Sequence, residues 1–111
     1  MNLLNAYARC VRIVRDQGTR YPVEPDRFTD PASTRLYQAL KKARTTIPEQ
    51  SPTINEVLGA IQTLVSEINT FFDGVLVMAQ DQAVRENRLG LLQEIASLTE
   101  GVADFTKLEG F

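Results

Sequence analysis

The chain has 111 residues, of which 43% are apolar and 23% charged, with 6 Gly and 5 Pro. This is the composition of one folded domain with a modest core, which excludes both a disordered polymer and a two-domain enzyme that closes over a substrate. A net charge of −2 excludes a bulk polycation that coats DNA or an anionic membrane, but not a local basic face.

That balance hides an asymmetry. Residues 1–44 carry nine basic and four acidic side chains, net +5, whereas residues 45–111 carry three basic and ten acidic ones, net −7. The first half is therefore where an acidic partner is steered, unless the two halves merely attract each other in the fold. Cys10 is the single cysteine and histidine is absent, so one chain can build no disulfide and no Cys–His zinc or nucleophile pair. Cys10 sits among apolar neighbours and is expected to pack in the core. No run approaches 18 apolar residues and no secretory pattern opens the chain, so a cytoplasmic protein without a membrane partner is expected.

The first periodic segment predicts a helix over residues 2–17. Leu3, Tyr7, Val11 and Val14 recur at steps of four, four and three, widened by Ala6, Cys10 and Ile13. Asn5, Arg9, Arg12 and Asp16 form the opposite face, Arg15 is outward too, and Gly18 is expected to end the helix in a left-handed conformation. Residues 18–30 read as an ordered linker with Tyr21, Val23 and Phe28 plugged into the core. Asp30 followed by Pro31 is a helix start signal, and Leu36, Leu40 and Ala43, with Tyr37 and Ala39, predict a second helix over 31–45.

After a break bracketed by Pro48 and Pro52, Thr53 and Glu56 have capping-box spacing. Ile54, Leu58, Ile61, Val65, Ile68, Phe72 and Val75 then recur at alternating steps of four and three, predicting one long helix over 53–75, broadened by Leu64 and Phe71. The apolar run at residues 75–79 has no strand to pair with and reads as a buried, distorted passage between helices. Asp81 is the expected cap of a last helix over 82–103. Val84, Leu91, Ile95, Leu98 and Val102 line one side of it and Leu89, Leu92 and Ala96 another, which places it in the middle of the packing. The fold class is thus all-α, an antiparallel four-helix bundle over 1–111.

The sequence has no glycine-rich phosphate loop, no HExxH and no GxSxG, and no catalytic residue or metal ligand is assigned. The informative polar cluster is Asp81, Arg85, Asn87 and Arg88. Arg88 continues the apolar stripe of the last helix, so its guanidinium sits at the core's margin, paired with Asp73 or Asp81 or else presented to a phosphate or base edge. Asn87 either bonds the broken backbone near residues 75–80 or contacts a ligand. Phe71 and Phe72 have the chemistry to stack bases but fall in the apolar seam and read as core. Arg9, Arg12, Arg15 and Lys41 are the candidate phosphate contacts, with Arg85 and Asn87 as further RNA-binding candidates.

The stretch FFDGVLVMAQDQAVRENRLGLL with the later VADFTKL resembles the C-terminal anticodon-binding domain of the bacterial glycyl-tRNA synthetase beta subunit. The opening NLLNAYARCVRIVRD and the segment FTDPASTRLYQAL resemble that family's first two helices. The resemblance implies an anticodon-binding-domain-like helical module, related to that of arginyl-tRNA synthetase, which binds the anticodon region of glycine tRNA. It further implies as partners the rest of the beta subunit and a catalytic alpha subunit that uses ATP and Mg, with no cofactor held by this chain and no DNA partner. The rival reading is a structural or protein-interaction bundle, which requires an exposed apolar patch in place of convergent arginines.

Overall fold

The computed structural model describes residues 2–15, 17–47, 53–75 and 77–99, with residues 2–4 and 99 described in backbone only. The Leu3 side chain, Asp16, Pro48, Pro52, Val102, the VADFTKL motif and the last-helix stretch expected over 100–103 lie outside the described residues. Within them the regular structure is entirely helical: α1 (Asn2–Val14), α2 (Pro31–Arg44), α3 (Ile54–Gln62), α4 (Val65–Gly74) and α5 (Gln82–Ala96), with short 3₁₀ turns at Pro25–Arg27 and Ser97–Thr99. None of these helices is long and apolar enough to cross a membrane.

The helix starts follow local chemistry. The Asp30 carboxylate accepts from the Ser33 amide at 2.7 Å ahead of Pro31, and Asp81 accepts from the Val84 amide at 3.0 Å. Thr53 and Glu56 form the reciprocal capping box, each side chain bonding the other's backbone N–H. The end of α1 differs from expectation. The helix stops at Val14, where the Gln17 amide bonds the Val14 carbonyl, and Gly18 follows without a left-handed backbone.

The stretch expected as one helix over 53–75 is two helices, which makes five among the described residues. At the break the backbone bonds shift from the fourth to the third preceding carbonyl. Thr63 Oγ1 donates to the Ala60 carbonyl at 2.6 Å, and that oxygen is the one the Leu64 amide would use in a continuous α-helix. The Leu64 amide turns to the Ile61 carbonyl at 2.8 Å, tightening the chain by one residue before α4 begins. The buried seam consequently runs through Val57, Ile61, Leu64, Ile68, Phe71 and Val75, while Ile54, Leu58, Val65 and Phe72 flank it half-buried.

The helix α5 occupies the middle, as its two apolar sides require. Residues 89–93 are all buried, and α5 packs chiefly on α1, with α2 also against it. Tyr7, fully buried in α1, donates its hydroxyl to the Ala96 carbonyl and ties the far ends of the chain together. Cys10 is fully buried beside it, and burial pushes its thiol up to about 12 against a small opposing pull from Arg9, so it is an inert core group. The helices α1 and α2 both pack on α4 and scarcely touch each other.

Candidate nucleic-acid interface

The outward stripe of α1 is as its periodicity predicts. With Ala6, Tyr7 and Cys10 turned into the core, Asn5, Arg9, Arg12 and Arg15 are exposed on the other side. At about 1.5 Å per residue, Arg9 lies about 4.5 Å from Arg12 along the axis, and Arg15 follows just past the end of the helix. None of the three makes an ion pair among the described residues. Arg9 is positioned by an aromatic ring: its guanidinium carbon lies 4.2 Å from the centroid of Phe72 on α4. Phe72 in turn meets Phe71 edge-on, with ring centroids 5.6 Å apart and planes at 81°.

Lys41 is exposed on α2, its ammonium 5.7 Å from the Tyr37 ring centroid. Tyr37 is backed by Phe28 of the linker at 6.0 Å. Lys41 is thus carried on a different helix from the arginines, and α1 and α2 make little direct contact. Of the other cations in this half, Arg44 pairs with Glu94 at 3.6 Å and Arg27 with Glu24 at 3.5 Å.

The cluster at the start of α5 is built for holding the chain together. Arg88 donates to the Asp30 carboxylate at 3.0 Å, and the two side chains are only 12% and 22% exposed. The carboxylate at the core's margin is therefore Asp30, not Asp73 or Asp81. Asp73 is exposed on α4, and Asp81 is occupied as the cap of α5. Burial alone would raise the Asp30 carboxyl, but the donors of Ser33 and the Arg88 guanidinium outweigh it and hold the group below the usual carboxylate range. Arg85 donates to the Ala79 carbonyl at 3.0 Å and braces the passage that leads into its own helix. In that passage Val75 and Val77 are buried as expected, whereas Met78 is 52% exposed.

Asn87 bonds neither that passage nor open space. It is buried and brackets Glu24, accepting from the Glu24 amide at 2.7 Å and donating to the Glu24 carbonyl at 3.0 Å. Two turns on, Gln93 does the same, accepting from the Tyr21 amide at 2.9 Å and donating to the Thr19 carbonyl at 2.8 Å. Between them Gly90 lets the linker backbone lie close, since a Cβ there would stand 2.7 Å from the Tyr21 carbonyl oxygen. Asn87, Gly90 and Gln93 thus form a polar line at i, i+3, i+6 that satisfies an extended linker lacking partners of its own. Apolar periodicity does not single out Gln93 or Gly90. The legible signal was a small or polar residue every third position within an otherwise apolar helix.

A surface hollow of about 260 Å³ lies between the ends of α1 and α5, lined by Val14, Gln17, Gly18, Thr19, Arg20, Gln93, Ala96 and Ser97. Among the described residues no group of three His, Cys, Asp or Glu side chains could hold a metal ion.

The described residues form an all-α bundle with exposed arginines along α1 and with buried Asn87 and Gln93 bonded to its own linker. Its sequence matches the DALR anticodon binding domain over residues 3–103, and the chain belongs to that family. It is 42% identical over 106 residues to the glycine–tRNA ligase beta subunit of Geotalea daltonii, a match covering 93% of this chain and 15% of that protein. It is 38% identical over 109 residues to that of Desulforudis audaxviator, covering 96% and 16%, and 36% identical over 110 residues to that of Myxococcus xanthus, covering 94% and 16%. The chain spans 15% to 16% of the length of these relatives.

Proposed function

We propose that this chain is the tRNA-anticodon-binding domain of a glycine–tRNA ligase beta subunit, and that it engages its RNA through the outward face of α1. The observation that carries the reading is the family match over 3–103 on a bundle whose α1 exposes Arg9, Arg12 and Arg15 without acidic partners among the described residues. Arginines on a helix face serve phosphates as multidentate donors, while discrimination comes from the few side chains that reach unstacked bases. Arg85 and Asn87 hydrogen-bond within the protein, so α1 is the better supported face; Lys41, over Tyr37 on α2, is not required by this reading.

On this reading the partners are the anticodon region of glycine tRNA, the rest of the beta subunit and the alpha subunit. The ATP- and Mg-dependent attachment of glycine belongs to the rest of the ligase, acting in the cytoplasm. The domain contributes by holding the tRNA in place, which converts a diffusing substrate into a positioned one.

The test is binding of the 111-residue chain to glycine tRNA and to a non-cognate tRNA at about 50 and about 200 mM salt. Three phosphate contacts predict affinity about 20- to 40-fold weaker at the higher salt, from a slope of about 0.7 to 0.9 per contact. Tighter binding of the glycine tRNA at both salts supports anticodon reading. No measurable binding to either tRNA, with the chain folded, overturns it in favour of a structural bundle.

A further inference from the structure

Arg9 and Phe72 form an arrangement that phosphate binding does not require. A phosphate contact needs only a cation on a flexible stem, as Arg12 and Arg15 provide. Arg9 is held over the Phe72 ring at 4.2 Å, well inside the range in which a guanidinium and an aromatic face attract. The ring itself is fixed, since Phe72 is half-buried and meets the fully buried Phe71 edge-on at 5.6 Å. Arg9 nonetheless remains exposed and makes no ion pair among the described residues. The Arg9 guanidinium thus lies against the ring while the residue as a whole stays exposed.

We infer that Arg9, backed by Phe72, is a stacking platform for one unpaired base of the bound RNA. This rests on the anticodon-binding reading and adds to it a place and a chemistry. A guanidinium is planar, delocalised and weakly hydrated, so it accepts the face of a nucleobase as readily as that of an aromatic side chain. Holding it in advance on Phe72 removes the rotamer entropy that a free arginine loses on stacking. Arg12, one turn on in α1, and Arg15, exposed just past its end, then meet the phosphates on one side of the splayed nucleotide. The ligand class is a single-stranded segment, because a base within a duplex has no free face to offer.

The experiment uses the 111-residue chain and the anticodon stem-loop of glycine tRNA carrying fluorescent aminopurine at each loop position in turn. One position is expected to change its fluorescence on binding. Arg9→Lys keeps the charge and removes the plane: it should abolish that change and weaken binding about fivefold or more while leaving the salt slope as in the wild type. Phe72→Leu should act in the same direction through loss of the backing ring. Arg12→Ala should lower the salt slope and leave the fluorescence change in place. If Arg9→Lys binds and fluoresces like the wild type, or if no loop position responds to the wild-type chain, the platform is wrong. If Arg9→Lys lowers thermal stability but keeps the signal, the pair is only a staple between α1 and α4. Absence of RNA binding by the folded wild type would remove the anticodon-binding reading itself, an outcome separate from failure of the platform alone.

Discussion

The Arg88 guanidinium meets the Asp30 carboxylate at 3.0 Å, and the other oxygen of that carboxylate caps α2 through the Ser33 amide at 2.7 Å. One side chain thereby starts a helix and fastens it to α5 across 58 positions of sequence. The contact is largely but not wholly buried, so its worth lies between that of an exposed pair, about 0 to 1 kcal/mol, and a fully buried one, about 3 to 5. A double-mutant cycle of Arg88→Ala and Asp30→Ala is expected to give a coupling of about 1 to 3 kcal/mol in urea unfolding. Asp30→Ser should cost less than Asp30→Ala, because serine keeps the cap while losing the ion pair. A coupling near zero would leave the pair without a fastening role.

The same pair has a pH signature. The folded Asp30 carboxyl lies below its ordinary value, so the unfolded chain takes up its proton first on acidification. The contribution of Asp30 is therefore fully present above about pH 4, the ordinary aspartate range, and is lost as pH falls from there through the lower folded value. Unfolding measured between about pH 6 and about pH 2 should show a steeper acid limb in the wild type than in Arg88→Ala, where the depression is weaker. Parallel limbs would mean that Ser33 alone sets the carboxyl.

The helical glycines Gly59 and Gly90 should respond in opposite directions to the same substitution. In α3 a Cβ at Gly59 meets nothing within 4 Å, so Gly59→Ala should gain about 0.5 to 1 kcal/mol from reduced backbone freedom. In α5 a Cβ at Gly90 would stand 2.7 Å from the Tyr21 carbonyl oxygen and 3.3 Å from that of Pro22, both backbone atoms of the linker. Gly90→Ala should cost about 1 to 3 kcal/mol in spite of the better helix propensity. Thermal melts of the two variants beside the wild type settle the comparison, and a neutral Gly90→Ala would show that the linker can lift off α5.

What was legible in the sequence was whatever local chemistry decides. Asp30–Pro31, Thr53–Glu56 and Asp81 announced three helix starts because a cap involves residues within one turn. The outward arginines of α1 followed from helical period. The break at Thr63 is hidden because the apolar period of four and three continues through it, while the Ala60 carbonyl takes the Thr63 amide and hydroxyl in place of the Leu64 amide. The partner of Arg88 was misplaced for a different reason: proximity in sequence favoured Asp73 and Asp81, whereas the fold brings Asp30 from the far side of the linker. Asn87 looked open for the same reason, since nothing local says that Glu24 will lie beside it.

Asn87 consequently predicts a stability effect. Asn87→Ala leaves the Glu24 amide and carbonyl without their side-chain partners and should cost about 1 to 3 kcal/mol in chemical denaturation. Affinity for glycine tRNA, corrected for the folded fraction, should be unchanged. The contrary pattern, with stability kept and the gap between glycine and non-cognate tRNA narrowed, would return Asn87 to the RNA.

The separation of α1 from α2 gives the last prediction, which concerns where the RNA backbone runs. If the anticodon arm lies along α1, Arg12→Ala and Arg15→Ala should each lower the salt slope of tRNA binding by about 0.7 to 0.9, the increment for one lost phosphate contact. Both should weaken glycine and non-cognate tRNA alike, because phosphates carry no base identity. Lys41→Ala should leave the slope as it is, since Lys41 stands over Tyr37 on a helix that scarcely touches α1. The slopes are to be measured on the full beta subunit as well as on the 111-residue chain, so that a contact completed by neighbouring domains is also scored. A reversed result, with Lys41 carrying the slope and the α1 arginines silent, would move the RNA to the α2 side of the bundle. The α1 stripe would then be a solvated surface, and the Arg9–Phe72 contact a local staple of α1 on α4.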